Sequence, residues 1–192
     1  MASKVSYQSS QHLMLLYSSD QARDDAAVDY INRALEEEQL AVYASVETEE
    51  SGHMERISTK ITDYEKHVER GNLLIVRLQS FYKQVLVGSL EPFNDLKVIL
   101  EEILQERIAG GKKGQAVVVA DCADMLSRKE KFDECLFVER WWQNTNLNWL
   151  EKNMKIDVVC THPSSVLEQE PFTLHKRQIS RLHSHTVDAI SR

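Results

Sequence analysis

His12-Leu13-Met14-Leu15-Leu16-Tyr17-Ser18-Ser19-Asp20 decides the fold class. A short apolar run bounded by polar residues is what a strand buried on both faces requires. Ser18 with Gln21 offers a capping box for a following helix, and Asp20 is an alternative N-cap. Ala27, Val28, Ile31, Ala34 and Leu35 then share one helical face. A second apolar run, Leu40-Ala41-Val42-Tyr43-Ala44-Ser45-Val46, arrives after a short connection. Strand, helix, strand at this spacing predicts a βαβ unit with parallel strands.

Outward from that unit the alternation continues. Met54, Ile57, Ile61, Tyr64 and Val68 predict a second helix, with Gly71 as its C-cap. Residues 73–78 predict a third strand. The segment 79–90 reads as a lid or a short edge strand. Pro92 marks the start of a third helix whose inner face carries Phe93, Leu96, Leu100, Ile103, Leu104 and Ile108. Gly110-Gly111-Lys112-Lys113-Gly114 ends it. Residues 115–121 are the most strand-like piece. A fourth helix is expected over 129–153, with a bend at Asn144-Thr145-Asn146. A strand over 156–161 stops at His162-Pro163, and a last helix covers 174–185. Residues 1–11 read as a flexible polar tail and 12–192 as one domain. Strands alternating with helices predict a single α/β domain, its sheet mostly parallel and covered by helices on both faces.

Composition narrows the function classes. The chain has 192 residues, 42% of them hydrophobic, which suits one packed domain. Its net charge is -7 and its basic residues form no stripe, which disfavours direct nucleic-acid binding. Cys122, Cys135 and Cys160 form no CxxC pair, as expected of a reducing, cytoplasmic location. No apolar run approaches the roughly 20 residues that span a bilayer.

The chemistry turns on an absence. A P-loop needs glycines that let backbone amides wrap phosphates, and a lysine for charge. This chain has no glycine before Gly52, and the first turn carries Asp20, Asp24 and Asp25. Aspartates there favour the helix dipole and repel a polyphosphate. Val117-Val118-Val119-Ala120-Asp121 has the form of a Walker B strand, but any parallel strand can end in an acid. Asp121 and Asp124 are therefore expected to cap a loop or line a pocket. In open α/β sheets ligands bind beyond the carboxyl ends of the strands. That rule selects Tyr17, Ser18, Ser19, Asp20, Glu47, Thr48, Asp121, Cys122, Thr161 and His162 as candidate ligand-binding residues. No catalytic residue, metal ligand set or cofactor is read. His175, His183 and His185 read as surface residues. Trp141 and Trp142 are adjacent, so one of them is a candidate interface anchor for a homo-oligomer. If the strands before Cys122 and around Cys160 are neighbours, both thiols and His162 would share one crevice.

The strand at residues 12–17, Ile31-Asn32-Arg33-Ala34-Leu35 and Leu40-Ala41-Val42-Tyr43-Ala44 together resemble the start of the MEDS domain, the sensory domain of DcmR-type regulators. Phe81-Tyr82, Gly88-Ser89-Leu90-Glu91-Pro92, the strand ending at Asp121, Cys160 and Arg181-Leu182-His183 extend the resemblance over nearly the whole chain. The usual glycine before the second strand is replaced by Glu38-Gln39. The resemblance implies a RecA/KaiC-like fold with a degenerate P-loop, and sensing of small organic molecules. The expectation is a non-enzymatic cytoplasmic sensor that binds a small ligand or a regulatory protein partner and touches neither nucleic acid nor membrane. A separate protein would carry its output. The alternatives are a divergent nucleotide-binding ATPase-type protein and an oligomeric scaffold.

Overall fold

The first strand, β1 (His12–Tyr17), lies inside the sheet with every residue buried. The computed structural model describes residues 10–47, 52–170 and 172–189. After β1 come α1 (Asp20–Glu36), β2 (Leu40–Ser45), α2 (His53–Ser58), α3 (Tyr64–Glu69) and β3 (Leu73–Arg77). Then follow α4 (Gln79–Val85), α5 (Glu91–Ala109), β4 (Gln115–Ala120), α6 (Cys122–Arg128) and α7 (Phe132–Glu151). The chain continues through β5 (Lys155–Pro163), α8 (Ser164–Leu167), α9 (Thr173–Ser180) and β6 (His185–Ala189). The sheet order is β3-β2-β4-β5-β1-β6, and every pairing is parallel.

Side-chain alternation divides the core into two layers. Met14, Leu16, Val42, Ala44, Val118, Ala120, Val158 and Cys160 face α4 to α7 and α9. Leu13, Leu15, Ala41, Tyr43, Val117, Val119 and Val159 face α1 to α3. Two faces each need apolar cover, which is why the strands are near-continuous hydrophobic runs.

The helix ends follow local chemistry. Ser19, not Asp20, is the N-cap of α1, its Oγ accepting from the Ala22 N–H at 3.2 Å. At the other end Glu38 takes a left-handed φ of 59°. The Glu38 N–H donates to Leu35 O at 3.0 Å and the Gln39 N–H to Ala34 O at 2.8 Å, a Schellman turn with glutamate in the usual glycine position. Gly71 and Gly111 sit in the same left-handed position after α3 and α5, as their sequence context predicts. The Arg107 guanidinium donates to Glu38 O, Gly71 O and Lys113 O, tying three helix-to-strand turns together.

Several boundaries differ from expectation. The second predicted helix is two, broken before Asp63 (φ 51°); Ser58 and Thr59 bond back to the carbonyls of Glu55 and Arg56, which competes with helix propagation. The segment over 79–90 begins as α4, with Leu78 and Val85 buried seven residues apart on one face, rather than as a strand. The predicted fourth helix is α7, which starts at Phe132 and runs unbroken through Asn144-Thr145-Asn146, and a further short helix, α6, precedes it across a turn at Glu130 (φ 55°). The last predicted helix stops at Ser180, and β6 adds a sixth strand beside β1. Ser10 and Gln11, read as part of the tail, are buried. Ser10 Oγ donates to Met154 O at 2.7 Å and the Gln11 N–H to Asp157 Oδ1 at 2.9 Å. Residues 1–9 lie outside the described residues. Among the described residues no helix is long and apolar enough to cross a membrane.

Candidate functional site

The chain leaves β2 toward β3 and leaves β4 toward β5, in opposite directions along the sheet. The carboxyl ends of these neighbouring strands therefore form the crevice where open α/β sheets take ligands. Here Asp121 closes it. Its carboxylate accepts from Ser45 Oγ at 2.5 Å and from the Val46 N–H at 2.6 Å, while its own N–H donates to Ala44 O. Asp121 is buried, and that burial pushes its pKa up to about 7 against the pull of the two donors.

Beside it, above β1, lies a layer of paired charges. Buried Arg23 forks onto Asp24 Oδ1 at 3.0 and 2.9 Å and reaches Asp124 Oδ2 at 3.3 Å and Glu47 at 3.7 Å. The Tyr17 hydroxyl donates to Asp124 and accepts from Arg128 Nη2 at 2.6 Å. Arg128 also pairs with Asp20 and holds its carboxyl below the usual range. His53 is buried against Arg23, with Nε2 2.5 Å from the Tyr43 hydroxyl. Its pKa is lowered by burial and by the Arg23 charge. Four carboxylates (Asp20, Asp24, Glu47, Asp124) thus face three guanidiniums (Arg23, Arg56, Arg128). These paired charges fill the edge above β1.

The candidate residues divide accordingly. Tyr17, Ser18, Ser19, Asp20, Glu47 and Asp121 share this edge, with Ser18, Ser19 and Asp20 exposed on its rim. Thr48 lies outside the described residues. Cys122 is at this edge by sequence, but its side chain packs in the apolar layer under α6. Thr161 is buried and its Oγ1 has no hydrogen-bond partner among the described residues. His162 faces away from the crevice into a second cluster, where its Nε2 lies 3.0 Å from Glu139 Oε1.

That second cluster was missed in sequence. Glu139 projects from α7 and is fully buried among His12 of β1, Cys160 and His162 of β5, and His183 after α9. His183, expected on the surface, has a fully buried ring stacked on His12 at 3.9 Å. Burial opposes ionisation of Glu139, but the surrounding imidazoles hold its pKa well below the usual carboxylate range. β4 and β5 are neighbours, but Cys122 and Cys160 both lie in the apolar layer, and burial raises both thiol pKa values. Trp142 is buried and Trp141 packs on Phe93 with its Nε1–H on Asn94 Oδ1 at 2.8 Å, so both indoles pack toward α5. A groove of about 720 Å³ opens at the opposite edge, lined by Leu13, Tyr30, Arg33, Lys155, Asp157 and His185 among others.

The profile of the methanogen/methylotroph, DcmR sensory domain (MEDS) matches residues 11–145. The chain belongs to the MEDS family. A KaiC-like protein of the archaeon Pyrococcus horikoshii shares the architecture, with TM-score 0.50 and 16% identity over 93% of this chain and 71% of that one. The flagellar accessory protein FlaH of Methanocaldococcus jannaschii aligns with TM-score 0.45 and 12% identity over 93% and 70%. No curated protein matches the sequence. The likeness to the KaiC-like protein shows the RecA-like fold of this MEDS domain. Within that fold the turn after β1 is Ser18-Ser19-Asp20 rather than a glycine loop. Arg23, Asp24, His53, Asp124 and Arg128 complete the edge. Sequence singled out the two aspartates only as helix-dipole partners and pocket-liners, because paired charges far apart in sequence leave no local signature.

Proposed function

We propose that this MEDS domain is a non-enzymatic sensor that takes a small organic molecule at the carboxyl edge of β1, β2 and β4. The observation that carries this reading is the Arg23–Asp24–Asp124–Tyr17–Arg128 network. Every guanidinium there already has a carboxylate partner, and the carboxylates outnumber them. A polyanion would meet excess negative charge, whereas a small uncharged polar molecule can exchange hydrogen bonds with Glu47 and Arg128 on the rim. Asp121, the acid an ATPase would use for magnesium, is committed to Ser45 and Val46. The signal then passes to a regulatory protein partner in the cytoplasm, and neither nucleic acid nor membrane is contacted. The RecA-like architecture favours one competing reading, a divergent nucleotide-binding ATPase.

A thermal-shift screen of small uncharged organic compounds tests the proposal, because a ligand bound only to the native state raises the melting temperature by mass action. The expected result is a saturable shift that Glu47→Gln or Arg128→Met abolishes. A shift insensitive to both but removed by Asp157→Asn would place the ligand in the opposite groove and overturn the assignment. A screen without hits would also count against it.

A further inference from the structure

The buried cluster under α7 has a chemistry that hydrogen bonding alone does not satisfy. His12 Nδ1 lies 2.8 Å from Leu182 O and His183 Nδ1 lies 2.8 Å from Ile179 O. A carbonyl can only accept, so each Nδ1 carries a proton, and in its neutral form each ring presents a lone pair at Nε2. Both Nε2 atoms point at one carboxylate oxygen, Glu139 Oε2, at 3.0 Å. Cys160 Sγ joins them 3.4 Å from His12 Nε2. The four donor atoms lie within 4.8 Å of one another. Glu139 Oε2 and His183 Nε2 are both buried without an aligned hydrogen-bond partner. Two imidazoles, a carboxylate and a sulfur thus bring four possible ligand atoms together in one buried cluster.

We infer that His12, Glu139, Cys160 and His183 form a closed tetrahedral site for a divalent, borderline-soft metal ion, with zinc as the natural occupant. Three features support it. Zinc takes nitrogen at about 2.0 Å and sulfur at about 2.3 Å, so its tetrahedral ligand atoms sit roughly 3.3–3.8 Å apart, close to the spacing here. Metal-bound histidines commonly donate their second N–H to a backbone carbonyl, as both rings do. Charge also closes: one thiolate and one carboxylate neutralise a divalent cation, leaving no net charge in a fully buried site. Binding forms the metal–sulfur bond as the Cys160 S–H bond breaks, and the proton leaves to solvent. His162 holds the other carboxylate oxygen of Glu139 and orients it. Four protein ligands leave no open position, so the ion has a structural role. It clasps β1, β5, α7 and the turn that leads into β6. The site is separate from the carboxyl-edge crevice and does not depend on the sensor reading.

Metal analysis of the whole chain, purified without a chelating tag, tests this. The expected content is about one zinc per chain, lost when the protein is unfolded with a chelator and regained on refolding. Refolding with cobalt(II) should give tetrahedral d–d bands and a thiolate-to-cobalt charge-transfer band in the near ultraviolet. Cys160→Ser should lose the charge-transfer band, while Cys122→Ala should keep it. Should Cys160→Ser fail to fold, the wild-type cobalt spectrum decides alone. Less than about a tenth of an equivalent of metal after refolding in excess zinc, with a cobalt spectrum like that of the aqueous ion, would overturn the site in favour of a proton shared by the cluster.

Discussion

Asp121→Asn should flatten the pH dependence of stability between about pH 5 and pH 7.5. Asp121 is buried and its pKa in the fold is about 7, raised above the ordinary 3.8. A carboxyl whose folded pKa is raised binds its proton more tightly in the native state. The native state is therefore favoured while Asp121 is protonated, and that advantage fades as pH rises through about 7. Linkage with these two pKa values gives a loss of roughly 2–3 kcal/mol between pH 5 and pH 7.5 from this one group. Asparagine keeps Oδ1 for the Val46 N–H and can donate to Ser45 Oγ, so the staple between β2 and β4 survives the change. Urea unfolding of both proteins at the two pH values measures the effect. The wild type should lose roughly 2–3 kcal/mol more than the variant, and the difference of differences cancels the histidines and Glu139. Equal pH slopes for the two proteins would refute the claim that burial of Asp121 closes the crevice.

Three further substitutions test the fold. Ser19→Ala should cost about 1 kcal/mol by urea unfolding through the lost cap of α1, whereas a larger cost from Ser18→Ala would move the cap. Glu38→Gly should stabilise by roughly 0.5–1 kcal/mol, since glycine accepts the left-handed φ without a Cβ clash and the Arg107 bond is to backbone. Trp142→Ala should cost about 3–5 kcal/mol, and a cost under about 1 kcal/mol would contradict its place in the core.

The sequence made the strands of the interior legible because each is built on a near-continuous apolar run. β6 was not legible: His185-Thr186-Val187-Asp188-Ala189 is a mostly exposed edge strand, with neither a buried run nor strict alternation to mark it. The break in the second helix escaped because apolar periodicity continues across it, through Ile57 and Ile61, while the chain turns at Asp63, and α6 escaped because seven residues are too few to show a helical period. The first turn was legible by what it lacks, glycine. Its partners were not, because Arg23 meets Asp124 across 101 residues and Tyr17 meets Arg128 across 111. The same holds for Glu139, whose histidines come from three separate elements. His183 read as a surface residue because its neighbours Arg181, Ser184 and His185 are polar and exposed, and only the turn after α9 folds its ring inward.

The proposed sensor role excludes a nucleotide's phosphates from the charged edge above β1. Titration calorimetry of the whole chain with magnesium-ATP measures that directly. The account predicts no binding tighter than about 1 mM and no turnover. Micromolar binding that is lost on substituting Ser18, Ser19 or Asp20 would contradict it.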